Sequence, residues 1–133
     1  MDISKEHREY ARFKLAQARE ALEDARGLLT DSAEPGYVVN SLYYAFYYPV
    51  LALLHTKDIP AAMQSVSIAL FEAEFVRTGV IDQRFFRALR TAFEFKPKCS
   101  GPQLKMIAQH EVKALLADAS GFIDAVGRIV GEL

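Results

Sequence analysis

Nearly every residue is apolar or aromatic in one stretch of the chain, YVVNSLYYAFYYPVLALLH, which runs from Tyr37 to His55. A helix of this composition is expected where it is buried on most sides, in a bundle or against a second subunit. Pro49 lies inside the stretch, lacks an N–H and crowds the carbonyl of Ala45 with its ring. We therefore expect a kinked central helix, or one whose first half ends near Pro49.

On the N-terminal side of this stretch, apolar residues recur in steps of four and three, which is the spacing of one helix face. The pattern predicts a first helix from a Ser4 N-cap to about Leu29. Pro35 and Gly36 then indicate a turn over residues 31–36, because both residues interrupt helical geometry.

On the C-terminal side, three more helices are predicted. The third covers about residues 61–78 and ends at Gly79, which suits the left-handed position after a helix. Asp82 can cap a fourth helix that stops before Pro97. After a loop, Pro102 suits the first turn of the last helix, whose apolar residues again repeat in steps of three and four.

This order of elements predicts an all-α fold: an up-and-down bundle of four long helices plus a shorter fifth, without a sheet. A length of 133 residues suits one domain spanning residues 1–133. With 51% apolar and 25% charged residues, the composition is that of an ordinary globular protein. The net charge of -1 gives no reason to expect strong, sequence-blind binding to nucleic acid, so any such binding must come from a local patch.

Cysteine and histidine usage argues against disulfides, structural zinc and other metal sites. Cys99 is the only cysteine, and His7, His55 and His110 are scattered along the sequence. No phosphate-binding glycine loop is present, and we expect no cofactor. The charged N-terminus and the absence of about 18 consecutive apolar residues predict a cytoplasmic protein that does not span a membrane.

The central helix also presents polar groups that could bind a ligand. Six of its residues fall within an arc of about 100° on a helical projection, namely Asn40, Tyr43, Tyr44, Tyr47, Leu51 and Leu54. One interpretation is core packing in which each hydroxyl finds a partner. The other is the wall of a cleft on which a base or nucleotide stacks, with Asn40, Tyr43 and Tyr44 as ligand-binding residues.

The fourth helix carries a basic face. Arg84, Arg87 and Arg90 follow one another in steps of three, and Lys96 and Lys98 extend the positive charge beyond the helix end. This arrangement is either an ordinary solvated face or a patch that contacts phosphates.

Several blocks along nearly the whole chain are similar to those of the small prokaryotic HEPN-domain proteins. They are Tyr10-Ala11, residues 18–29, residues 40–46 (NSLYYAF), residues 75–79 (FVRTG), Leu89-Arg90 and residues 119–123 (ASGFI). The resemblance implies a dimeric helical bundle with a cleft between subunits. It also implies kinship with toxin-like ribonucleases and with partners of minimal nucleotidyltransferases.

The chain departs from the Arg…His motif of the HEPN ribonucleases. Active HEPN members carry an Arg followed after four to six residues by His; here the Arg is Arg90, and Phe95, Lys96 and Pro97 stand where the His would fall. Metal-independent RNA cleavage needs a proton acceptor and a proton donor, and His serves both roles. Arg90 is a poor base, which leaves Glu94 as a less efficient substitute.

Three hypotheses follow. The first is a HEPN-type protein that binds RNA or a nucleotide in a dimer cleft, as one component of a toxin–antitoxin pair with a nucleotidyltransferase. Its contacts would come from Arg87, Arg90, Lys96 and Lys98. The second is an inactive homodimer that only holds such a partner. The third is an active ribonuclease that uses Glu94 or His110.

Overall fold

The computed structural model describes residues 3–97 and 107–131, and all the regular secondary structure within them is helical, without a strand. The helices are α1 (Lys5–Thr30), α2 (Pro35–Thr56), α3 (Gln64–Phe71), α4 (Gln83–Phe95) and α5 (Gln109–Ile129). The predicted all-α bundle is confirmed. Pro102, Lys98 and Cys99 lie outside the described residues.

Helix α1 begins and ends close to the predicted positions. The Ser4 hydroxyl accepts a hydrogen bond from the His7 N–H at 3.1 Å, which satisfies one of the free N–H groups of the first turn. The buried residues of α1 keep the predicted spacing and are Ala11, Leu15, Ala18, Leu22 and Ala25. This face lies against α2, with which α1 makes its most extensive contact.

Helix α2 is the central element of the bundle, because it contacts α1, α3, α4 and α5. It begins at Pro35, two residues before the predicted start, since proline suits the first helical position. The helix does not end at Pro49 but continues to Thr56. By length and composition α2 could cross a membrane. However, 67% of its apolar 18-residue segment is buried inside the protein, as in the core helix of a soluble protein.

The prediction for the third helix was wrong at its start. Residues 61–63 are not helical, and α3 begins only at Gln64. After Phe71 the helix widens into a π-helical turn, Glu72–Val76, and Gly79 then takes the predicted left-handed conformation with φ +83°.

The C-terminal helices pack their aromatic residues into one cluster. The Phe122 ring of α5 lies 5.9 Å from Phe46, 5.7 Å from Phe71 and 5.5 Å from Phe85, measured between centroids. Asp82 caps α4 as predicted, accepting a hydrogen bond from the Arg84 N–H at 2.8 Å. The predicted course of the last helix is wrong at Ala108, which is extended and precedes the start of α5.

Candidate functional site

The C-terminal end of α4 forms a pocket of about 470 Å³, lined by Arg90, Phe93, Glu94 and Lys96. It exists because α4 ends at Phe95 and the next residue, Lys96, is extended, with φ -65° and ψ 147°. The Lys96 ammonium lies 5.6 Å from the centroid of the Phe93 ring and 5.2 Å from that of Tyr43. The pocket therefore combines two cations, one carboxylate and an aromatic wall.

The arginines Arg84, Arg87 and Arg90 of α4 differ in their surroundings. The Arg90 guanidinium stands over the Phe86 ring at 5.9 Å. Arg84 lies over the Phe85 ring at 4.6 Å and pairs with Asp118 at 3.8 Å. Arg87 is exposed one turn before Arg90, outside the pocket lining. Stacking on α4's own aromatic residues thus holds Arg84 and Arg90 close to the helix surface.

Tyr43 is fully buried beneath this pocket and does not form an exposed wall. Its hydroxyl donates a hydrogen bond to Gln64 Oε1 at 2.8 Å, which joins α2 to the start of α3. Burial, together with Tyr47 and Tyr44 nearby, raises the pKa of the Tyr43 phenol well above its usual value. The group is therefore neutral at physiological pH, and it supports the Lys96 and Phe93 side chains from below.

Asn40 and Tyr44 lie in a second concave site, the α1–α2 groove. This groove has a volume of about 300 Å³ and is lined by Gln17, Glu20, Ala21, Asp24, Asn40, Ser41, Tyr44 and Tyr48. The structure thus divides the predicted ligand-binding residues between two places. Arg90, Glu94 and Lys96 come together at the end of α4. Asn40 and Tyr44 instead line a groove that has no described residue in common with that pocket.

A histidine cluster joins the start of α1 to the end of α2, and the sequence analysis did not predict it. His7 Nε2 lies 2.9 Å from Asp58 Oδ1, and the His7 ring meets the His55 ring edge-on at 4.9 Å. The Tyr10 ring stacks on His55 at 3.9 Å. Because His7 and His55 are far apart in sequence, only the antiparallel pairing of α1 and α2 could have revealed the cluster.

His110 is exposed near the start of α5.

Metal ligation has no support in the parts of the chain that the structure describes. Within residues 3–97 and 107–131, no group of three or more His, Cys, Asp or Glu side chains could hold a metal ion.

Sequence comparison places the chain among small proteins of similar length, although no protein-family model matches it. Two similar proteins of Methanocaldococcus jannaschii are named as candidate toxins. One is 27% identical over 111 residues, covering 84% of this chain and 76% of the relative. The other is 24% identical over 131 residues, covering 98% and 96%.

A stronger match comes from Thermotoga maritima, in a protein described as a UPF0332 protein. It is 32% identical over 117 residues, and the alignment covers 88% of each chain. Similarity at this level over nearly the full length of both chains shows common descent, so the chain belongs to the UPF0332 family.

Proposed function

We propose that this UPF0332 protein is a toxin-like protein of HEPN type that binds RNA or a nucleotide at the α4 pocket. The observation that carries the proposal is the convergence of Arg90, Lys96 and Phe93 on one pocket, in a chain whose relatives include proteins named as toxins. The dimer, the nucleotidyltransferase partner and the cytoplasmic setting belong to the same proposal.

The chemistry of the pocket suits a nucleotide better than a neutral metabolite. Guanidinium and ammonium groups bind phosphate oxygens through charge-assisted hydrogen bonds, and an aromatic ring provides a stacking surface for a base. Arg90 and Lys96 supply the cations, and Phe93 is half-buried between them. Arg87 extends the positive surface by one helical turn toward a second phosphate.

The pocket is poorly equipped for fast cleavage. Among the described residues, its ionisable lining consists of Arg90, Glu94 and Lys96, without a histidine. Such a pocket can stabilise a charged phosphate, but these three side chains do not include the histidine that serves as both proton acceptor and proton donor in RNA cleavage. We therefore expect binding with slow or absent RNA cleavage, and the interaction-protein alternative applies if binding is absent as well.

Arg90→Ala is the direct test of phosphate binding. We expect weaker binding of a fluorescent single-stranded RNA, and a salt dependence of log K that is shallower by about one unit, because one phosphate contact is lost. Fluorescence anisotropy across a salt series measures both quantities. The matched control is Arg12→Ala, which removes an exposed arginine from α1.

Two results would contradict the proposal. Equal RNA binding by wild type and Arg90→Ala would exclude the α4 pocket as the phosphate site and favour a purely protein-binding role. Robust RNA cleavage by the wild type that is abolished in Glu94→Ala would show instead that the protein is an active ribonuclease.

A further inference from the structure

The α1–α2 groove differs from the α4 pocket in the sign of its charge. Glu20 and Asp24 lie on successive turns of α1 and face the groove together, while the described residues of its lining include no Lys or Arg. Both residues are exposed, and no side chain among the described residues forms a salt bridge or hydrogen bond with either carboxylate. Within residues 3–97 and 107–131, the groove therefore presents two carboxylates without a cationic partner.

The remaining lining adds hydrogen-bond acceptors and aromatic rings. Among the described residues, no donor reaches Oε1 of Gln17, which is buried in this wall. Tyr44 and Tyr48 form the α2 side, with their ring centroids 5.8 Å apart. Lys14 Nζ lies 5.4 Å from the Tyr48 centroid, so one ring of this wall already faces a cation. The open part of the groove is then the region of Tyr44, Glu20 and Asp24.

We propose that the α1–α2 groove binds an arginine side chain from a basic segment of a partner protein. The guanidinium group donates two parallel hydrogen bonds to a carboxylate and stacks on an aromatic face, and the groove offers both kinds of contact. Lysine makes neither the fork-shaped contact nor the planar stack. The carboxylates repel phosphate, so the groove does not suit RNA, although it holds Asn40 and Tyr44.

This site is separate from the proposed nucleotide site, because the two share no lining residue among those that the structure describes. A protein partner could occupy the groove through its arginine while the α4 pocket holds a phosphate. Failure of one assignment therefore leaves the other intact, and the two are tested with different probes.

The probe is a short uncharged peptide that carries one central arginine, compared with the same peptide in which citrulline replaces arginine. Citrulline has nearly the same shape but no charge. Titration of the isotope-labelled protein, followed by NMR, should give shifts at Gln17, Ser41 and Tyr44 for the arginine peptide only. Asp24→Asn and Glu20→Gln should each weaken binding about threefold, as expected for an exposed charge pair.

Asp124→Asn is the control, since Asp124 is also exposed but lies on α5. It should bind the arginine peptide with the wild-type affinity. Equal binding of the citrulline peptide would overturn the proposal, as would unchanged affinity in the Asp24→Asn, Glu20→Gln double variant. Shifts at the groove on titration with adenosine monophosphate, without shifts from the arginine peptide, would assign the groove to a nucleotide.

Discussion

At the scale of single residues, Tyr43 shows how a predicted binding residue becomes a supporting one. Its ring lies under Lys96 and beside Phe93, and the Tyr43 and Phe93 ring centroids are 5.6 Å apart. Its hydroxyl donates a hydrogen bond to Gln64. A buried phenol with one hydrogen bond resists ionisation, because the phenolate would lose its hydration. The residue therefore fixes the floor of the α4 pocket and is unsuited to proton transfer at pH 7.

The buried environment of Tyr43 makes the free energy of unfolding depend on pH in the alkaline range. The unfolded chain ionises tyrosine near pH 10, whereas the raised pKa keeps folded Tyr43 protonated at that pH. The stabilising contribution is complete below pH 10 and decreases above it, by up to about 1.4 kcal/mol per pH unit. Urea unfolding from pH 9 to 11 should show a smaller decrease in Tyr43→Phe than in wild type.

Tyr37→Phe provides the control for that experiment, because Tyr37 is 65% exposed. Its unfolding free energy should follow the wild-type pH dependence. Parallel curves for Tyr43→Phe and wild type would show that the phenol ionises as easily in the folded state as in the unfolded one.

The division of the candidate site also arises at this scale. Sequence reasoning grouped Asn40, Tyr43 and Tyr44 because they fall within about 100° on a helix. The two edges of that arc face different helices. Asn40 and Tyr44 lie 40° apart around the helix axis and face α1. Tyr43 lies 60° from Asn40 in the opposite direction, toward α3 and α4. Periodicity finds which residues share an arc, but neighbouring helices decide what each one meets.

At the scale of elements, helix ends were predictable where a cap residue defines them. Ser4 and Asp82 fixed the starts of α1 and α4, because each side chain accepts a backbone N–H from the first turn. The start of α3 was misplaced because Ala61, Ala62 and Met63 are apolar and no cap precedes them. The Ser67 Oγ accepts a hydrogen bond from the Ala62 N–H at 3.3 Å, which ties this non-helical segment to α3 through a contact that periodicity does not reveal.

The cap at Asp82 matters to the candidate site because α4 carries Arg87, Arg90 and Phe93. Asp82→Ala removes the acceptor for the Arg84 N–H, and it should lower the free energy of unfolding by about 1 kcal/mol. Urea unfolding measures the loss. Asp124→Ala, an exposed site in the middle of α5, should change stability by less than about 0.5 kcal/mol. Equal losses in the two variants would mean that the cap contributes nothing specific.

At the scale of the whole molecule, the burial of α2 within a single chain removes the sequence-based argument for a dimer. The sequence suggested that this helix is too apolar for a monomer, yet most of it is buried within one chain. Tyr47 is only 6% exposed, so a charged residue there would disrupt the monomer core before it tested any association. The expectation of a dimer consequently rests on the HEPN resemblance and needs a probe outside the core.

Leu51 is that probe, because it is half-buried on α2 and still reachable from outside. We expect light scattering of the wild type at micromolar concentration to give about twice the chain mass of 14.9 kDa. Leu51→Glu should shift the mass toward one chain, since burying an unpaired carboxylate at an apolar interface is strongly unfavourable. Val66→Glu on α3, where Val66 is 45% exposed, should leave the mass unchanged. A wild-type mass near 14.9 kDa would show that α2 needs no second subunit to cover it, and that the α4 pocket is complete within a single chain.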